Sequence, residues 1–183
     1  MKNDSQDNLF LPEGYETPVN GGGYMKLEDG ENKLRILSRP IIGWLDWTTD
    51  KKPVRFGFKF KPEKQIDPSQ PIKHFWAFIV WDYQASEIRI LEITQSSIQT
   101  AIQNLTKDED WGAPFDYDIK ILKTGQKKET KYAVNPSPKK PLTDDQKNFA
   151  LAKRVNLNAL FTNADPYAKS ETVTELFFES LPF

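Results

Sequence analysis

KHFWAFIVWDY, residues Lys73 to Tyr83, is apolar on both of the faces that a strand presents. Odd positions carry Phe75, Trp81 and Tyr83; even positions carry Trp76 and Phe78. Side chains alternate across a strand, so a run apolar at every position needs cover on both sides. It therefore reads as the central strand of a sheet. A turn at Gln84-Ala85-Ser86 leads into EIRILEI, Glu87 to Ile93, its hairpin partner.

Working outward, residues 32–39 (NKLRILSR) alternate, with Leu34 and Ile36 on one face and Arg35 and Leu37 on the other. Pro40 ends or bends that strand, and residues 41–47 (IIGWLDW) continue it. Residues 54–60 place Phe56, Phe58 and Phe60 on one face and Arg55, Gly57 and Lys59 on the other. The phenylalanines are expected inside and the basic face outside. The period changes at residues 96–106, where Ile98, Ala101, Ile102 and Leu105 make one helix face, with Ser96 as cap and Gln99 as its partner. Strands return at 115–122 and 129–134 around a turn at Gly125-Gln126. Thr143 and Gln146 form a capping box before a helix of about 10–15 residues whose apolar face is marked by Phe149, Ala152 and Val155.

Strands, one helix, then a last hairpin is the OB-fold layout. The expected class is mainly β: a five-stranded OB-fold-like antiparallel barrel with one inserted helix and a C-terminal helix. Residues 1–23, acidic and ending in three glycines, are expected to be a flexible arm. Residues 24–161 are the domain, and 162–183 an acidic tail.

Composition narrows the chemistry. The 183 residues include no Cys and one His, His74. Disulfides, thiolate metal sites and cysteine catalysis are excluded, and a histidine-based metal site or general base is disfavoured. No nucleophile–base pair or phosphate-cradling glycine loop is present, so no enzyme activity, cofactor or metal is expected. Asp116 and Asp118 alternate on a strand and read as a solvated face. No apolar run reaches the roughly 20 residues that span a bilayer. A cytoplasmic protein without membrane contact is expected.

Charge is nearly balanced, with 25 Lys and Arg against 26 Asp and Glu, but it is sorted along the chain. KKPVRFGFKFK, Lys51 to Lys61, is basic and aromatic, and a second basic stretch runs from Lys120 to Lys140. From Lys51 to Lys64 the only acid is Glu63, and from Lys120 to Lys140 it is Glu129. Cations interleaved with aromatics suit single-stranded nucleic acid, because cations follow phosphates while flat rings stack on bases.

Four blocks, in order, carry a family resemblance: LEDGENKLRILSRP (Leu27 to Pro40), FWAFIVWDY (Phe75 to Tyr83), the helix exit Trp111-Gly112-Ala113-Pro114, and FDYDIKILKTGQKKETKYAVNPSPKKPL (Phe115 to Leu142). Over about two-thirds of its length the chain resembles the single-stranded DNA-binding proteins of tailed bacteriophages, the gene-32-like helix-destabilising group. The structural zinc of the best-known members has no ligands here. The acidic C-terminus, ELFFESLPF, is similar to the Pro-Phe tip of bacterial single-stranded DNA-binding proteins.

The resemblance implies binding of single-stranded DNA with little sequence specificity, protecting it during phage DNA replication, recombination or repair in the host cytoplasm. Candidate DNA contacts are Arg35, Trp47, Lys51, Lys52, Arg55, Lys59, Lys61, Trp76, Phe78, Lys120, Lys123, Lys127, Lys128, Lys131 and Tyr132. Glu175, Glu179, Pro182 and Phe183 form the candidate partner-binding tip, which would recruit replication or recombination proteins. Deleting the last nine residues is expected to leave DNA binding intact or tighter. The oligomeric state is open. The alternative is an OB-like interaction module that binds protein or carbohydrate and no nucleic acid.

Overall fold

The computed structural model describes residues 22–178. The expected N-terminal arm and the last five residues of the tip lie outside that range, apart from Gly22 and Gly23.

Seven strands form one antiparallel sheet: β1 (Gly30–Ile36), β2 (Ile41–Trp47), β3 (Pro53–Gly57), β4 (Lys73–Asp82), β5 (Glu87–Ile93), β6 (Ile119–Thr124) and β7 (Lys131–Pro136). Helix α1 (Ser96–Lys107) follows β5, and α2 (Asp144–Ala152) follows β7. Strand β4 is the centre. It carries β5 along one edge; along the other, β2 pairs with its first half and β1 with its second. Ile36 pairs with Val80 and Ile41 with Ala77, so the four residues Leu37–Pro40 stand against only two of β4. That bulge is tied down: Leu37 N–H donates to Ile79 O at 2.9 Å, and Ile79 N–H donates to Ser38 Oγ at 2.9 Å.

β1 and β2 are thus one strand broken at Pro40. With β4, β5 and the β6–β7 hairpin they supply the five expected strands. The correction is β3, an added strand on β2, and the sheet is open at β3 and β7. The mainly β, OB-like class stands.

β4 is buried on both faces, as its sequence demands. Even positions join a core made by Leu34, Ile36, Leu91, Ile93, Ile119 and Ile121 under Ile98 and Ile102 of α1. Odd positions join a second core in which Phe75, Ala77, Ile79 and Trp81 lie under Leu142, Ala150, Val155, Leu157 and Leu160. The C-terminal segment therefore covers the sheet face that α1 leaves open.

Several local expectations shift. α1 has Gln95 as N-cap with no side-chain cap bond, in place of Ser96. The Thr143–Gln146 capping box is present, but α2 runs only nine residues. Because α2 stops at Ala152, Val155 reaches the core from extended chain, and the buried helix residue is Ala150 while Phe149 is exposed. The expected tail boundary at 162 also moves. Residues beyond 162 stay on the domain: Asn156 N–H donates to Pro166 O, Thr174 N–H to Val155 O and Phe177 N–H to Leu37 O. The Phe177 ring stacks on Phe115 with centroids 4.8 Å apart. A nine-residue deletion would remove this core residue. No helix among the described residues is long and apolar enough to cross a membrane.

Candidate nucleic-acid interface

The basic aromatic run folds differently from its alternation. β3 ends at Gly57, and a turn closes there, with Phe60 N–H donating to Gly57 O at 2.8 Å. Phe58 and Phe60 leave the sheet and become 60% and 72% exposed. The expectation that these two face the core is overturned, because their alternation continues past the point where pairing stops. Phe56, still on β3, is half-buried.

The turn assembles an aromatic platform. Trp44 of β2 donates its indole N–H to Phe58 O at 2.9 Å. His74 of β4 lies edge-on to Trp44 at 5.0 Å and to Phe58 at 6.0 Å. The Lys61 ammonium sits 4.4 Å from the Trp44 ring centre. Lys59, Lys64 and Lys73 are exposed at the same end of the sheet. The loop after Lys61 is anchored by Ile66 N–H donating to the buried Asp46 carboxylate at 3.0 Å. The exposed Phe58 and Phe60 rings are open for a base to stack on, and the lysines add a positive field.

Three of the candidate contacts are not available. Arg35 is fully buried; its guanidinium meets Asp118 at 2.8 Å and donates to Lys140 O at 3.0 Å. Phe78 lies in the first core. Arg55, half-buried as a residue, has its guanidinium paired with Glu92 at 2.7 Å, over Phe75. Asp118 is likewise not on a solvated face: it also meets Lys33 at 3.3 Å, Lys140 at 3.4 Å and the Tyr83 hydroxyl at 2.8 Å. Burial, reinforced by the hydrogen bond to Asp118, pushes the Tyr83 phenol up to about 12.

The other candidates divide by position. Trp47 packs half-buried against the second core, on the β2 face away from Trp44. Lys51 is exposed in the β2–β3 turn, and Lys52 beside it pairs with Asp50 at 3.2 Å. Trp76 is half-buried against the first core. In the second basic run, Lys120 pairs with Glu31 at 3.4 Å and Lys123 with Asp29 at 3.1 Å. The hydrogen bond to Asp29 holds the Lys123 ammonium above its ordinary range. Tyr132 packs half-buried on the first core. Lys127, Lys128 and Lys131 are exposed at the β6–β7 tip and, among the described residues, have no acidic partner within ion-pair distance.

The two basic runs do not form one wall. Gly30, at the start of β1, pairs with Lys123 near the β6–β7 tip, whereas Trp47, at the end of β2, pairs with Pro53. The runs therefore sit at opposite ends of the broken β1–β2 strand. Reading the sequence for candidates missed Trp44, Phe58, Phe60, Lys64, Lys73 and His74. The available signal was Gly57 before a Pro-containing loop, which marks a strand end.

No protein-family model matches the chain, and no solved structure does. The chain is similar to the probable ssDNA-binding protein of Escherichia phage T5. Identity is 27% over 139 aligned residues, covering 61% of this chain and 53% of the phage protein. The chain thus spans about half the length of that relative.

Proposed function

We propose that this chain binds single-stranded DNA with little sequence preference and without catalysis. The observation that carries the reading is the pair of exposed rings, Phe58 and Phe60, beside the half-buried Trp44, with Lys59 and Lys61 next to them. The similarity to the probable ssDNA-binding protein of Escherichia phage T5 supports it. Exposed phenylalanines cost solubility unless something stacks on them, and each base stacked on an aromatic ring contributes about 1–3 kcal/mol. Phosphates would be met by Lys51, Lys59, Lys61, Lys64 and Lys73. On this reading the chain coats DNA exposed in phage replication, recombination or repair, and its tip, Glu175 and Glu179 to Phe183, engages a replication or recombination protein.

Titration of the full chain with an oligothymidine, followed by Trp fluorescence, tests it. About five phosphate contacts give a salt slope near −3.5, or roughly 100-fold weaker binding between 50 and 200 mM salt. Trp44 emission is expected to be quenched. Equal affinity for duplex DNA, or salt-independent affinity for a glycan with none for DNA, would overturn the reading.

A further inference from the structure

Gln99 does not serve its own helix as a capping partner. Its side chain is buried and turns from α1 toward the end of β5. The amide Nε2 donates to Ile93 O at 3.0 Å and to His74 O at 3.2 Å. β5 ends at Ile93, whose partner on β4 is Trp76, so His74 lies beyond the last pair of that ladder. Gln99 takes the place of the missing strand and ties α1 to the start of β4.

These bonds fix which way round the amide sits. Carbonyl oxygens only accept, so the amide nitrogen must face them. Oε1 is left facing His74 Nδ1, at 3.4 Å. It too can only accept, so Nδ1 carries the imidazole proton. His74 Nε2 is enclosed and has no hydrogen-bond partner among the described residues. The bond to Gln99 is therefore the one that sets the rotation of the ring. That ring lies 5.0 Å from Trp44 and 6.0 Å from Phe58, centre to centre, inclined at 60° and 70°. Trp44 holds the backbone of Phe58 through its indole N–H, and His74 packs on the Phe58 ring itself.

We propose that Gln99 and His74 are positioning residues for base stacking: Gln99 orients the His74 ring, and that ring sets the tilt of the exposed Phe58 on which a base stacks. The inference rests on the proposed single-stranded DNA binding and deepens it. Gln99 is buried and uncharged, so it neither touches the strand nor adds to the phosphate contacts. Its effect on binding should fall on stacking alone.

Fluorescence anisotropy with the full chain separates the two contributions. One labelled strand is oligothymidine; the other is an abasic strand of the same length, with every phosphate and no base. Gln99→Met keeps a similar volume and helix preference and removes the hydrogen bonds to His74 and Ile93. It should weaken thymidine binding about 5-fold, the low end of one lost base stack, and leave the abasic affinity and the salt slope as in wild type. His74→Leu breaks the same link from a half-buried position and should do likewise, so the link is read even where Gln99→Met does not fold. Because Gln99 acts through His74, the double variant should bind no more weakly than His74→Leu alone. Wild-type thymidine affinity in both variants, an equal loss on both strands, or losses that multiply in the double variant would overturn the positioning role while single-stranded DNA binding stands. If wild type binds neither strand, the proposed function falls together with the inference.

Discussion

Arg35 and Phe60 reverse what their residue types suggest. A basic residue is enclosed, and a large apolar one stands in solvent. Arg35 is held by Asp118 and the carbonyl of Lys140, so its role is to join β1 to the segment after β7. Breaking a buried pair from one side leaves a charge uncompensated and costs about 3–5 kcal/mol. Arg35→Met should lower stability to urea by that order while the folded protein keeps its DNA affinity. An unchanged unfolding midpoint with weakened DNA binding would contradict this assignment. Phe60→Ala should do the opposite. At 72% exposure its loss leaves stability within about 0.5 kcal/mol, whereas a lost stacking contact removes about 1–3 kcal/mol of binding. Anisotropy and thermal melts on the same sample separate the two effects.

The element that makes the platform is the β2–β3 hairpin, and Gly43 sets its closeness. A Cβ there would run into the Phe56 carbonyl and the Phe75 ring, so β3 can lie against β2 only if residue 43 has no side chain. Gly43→Ala should cost about 1–3 kcal/mol in stability through this overpacking and should weaken DNA binding by loosening the Trp44–Phe58 bond. Gly57→Ala is the control. Its Cβ would meet only the Phe60 ring, at 3.4 Å, and the change should be close to neutral in a melt. The β6–β7 hairpin lies at the far end of β1. Its lysines either meet acids donated by the β1 segment or stand open at the tip, so it forms a separate positive surface.

At the scale of the whole molecule, the C-terminal segment is part of the fold. It covers the second core and sends Phe177 to Phe115 beside the β1–β2 break. Removing residues 179–183, which spares Phe177, should leave DNA binding intact or tighter, read by anisotropy with an oligothymidine. Removing 175–183 takes out Phe177 and should cost about 3–5 kcal/mol, seen in urea unfolding. The sequence by itself determined the order of strands and helices, the β4–β5 and β6–β7 hairpins, the Thr143 capping box and the burial of β4 on both sides. Each is written in periodicity or turn chemistry within a few neighbouring residues. Of the site, Lys59 and Lys61 were legible as a basic aromatic run. Only the tertiary structure decided which charges are spent and which rings are open. Asp118 lies 83 positions from Arg35, and Glu92 lies 37 from Arg55, so no local pattern shows that those cations are already paired. Likewise, alternation alone could not show that pairing stops at Gly57, because a strand ends where its neighbour ends.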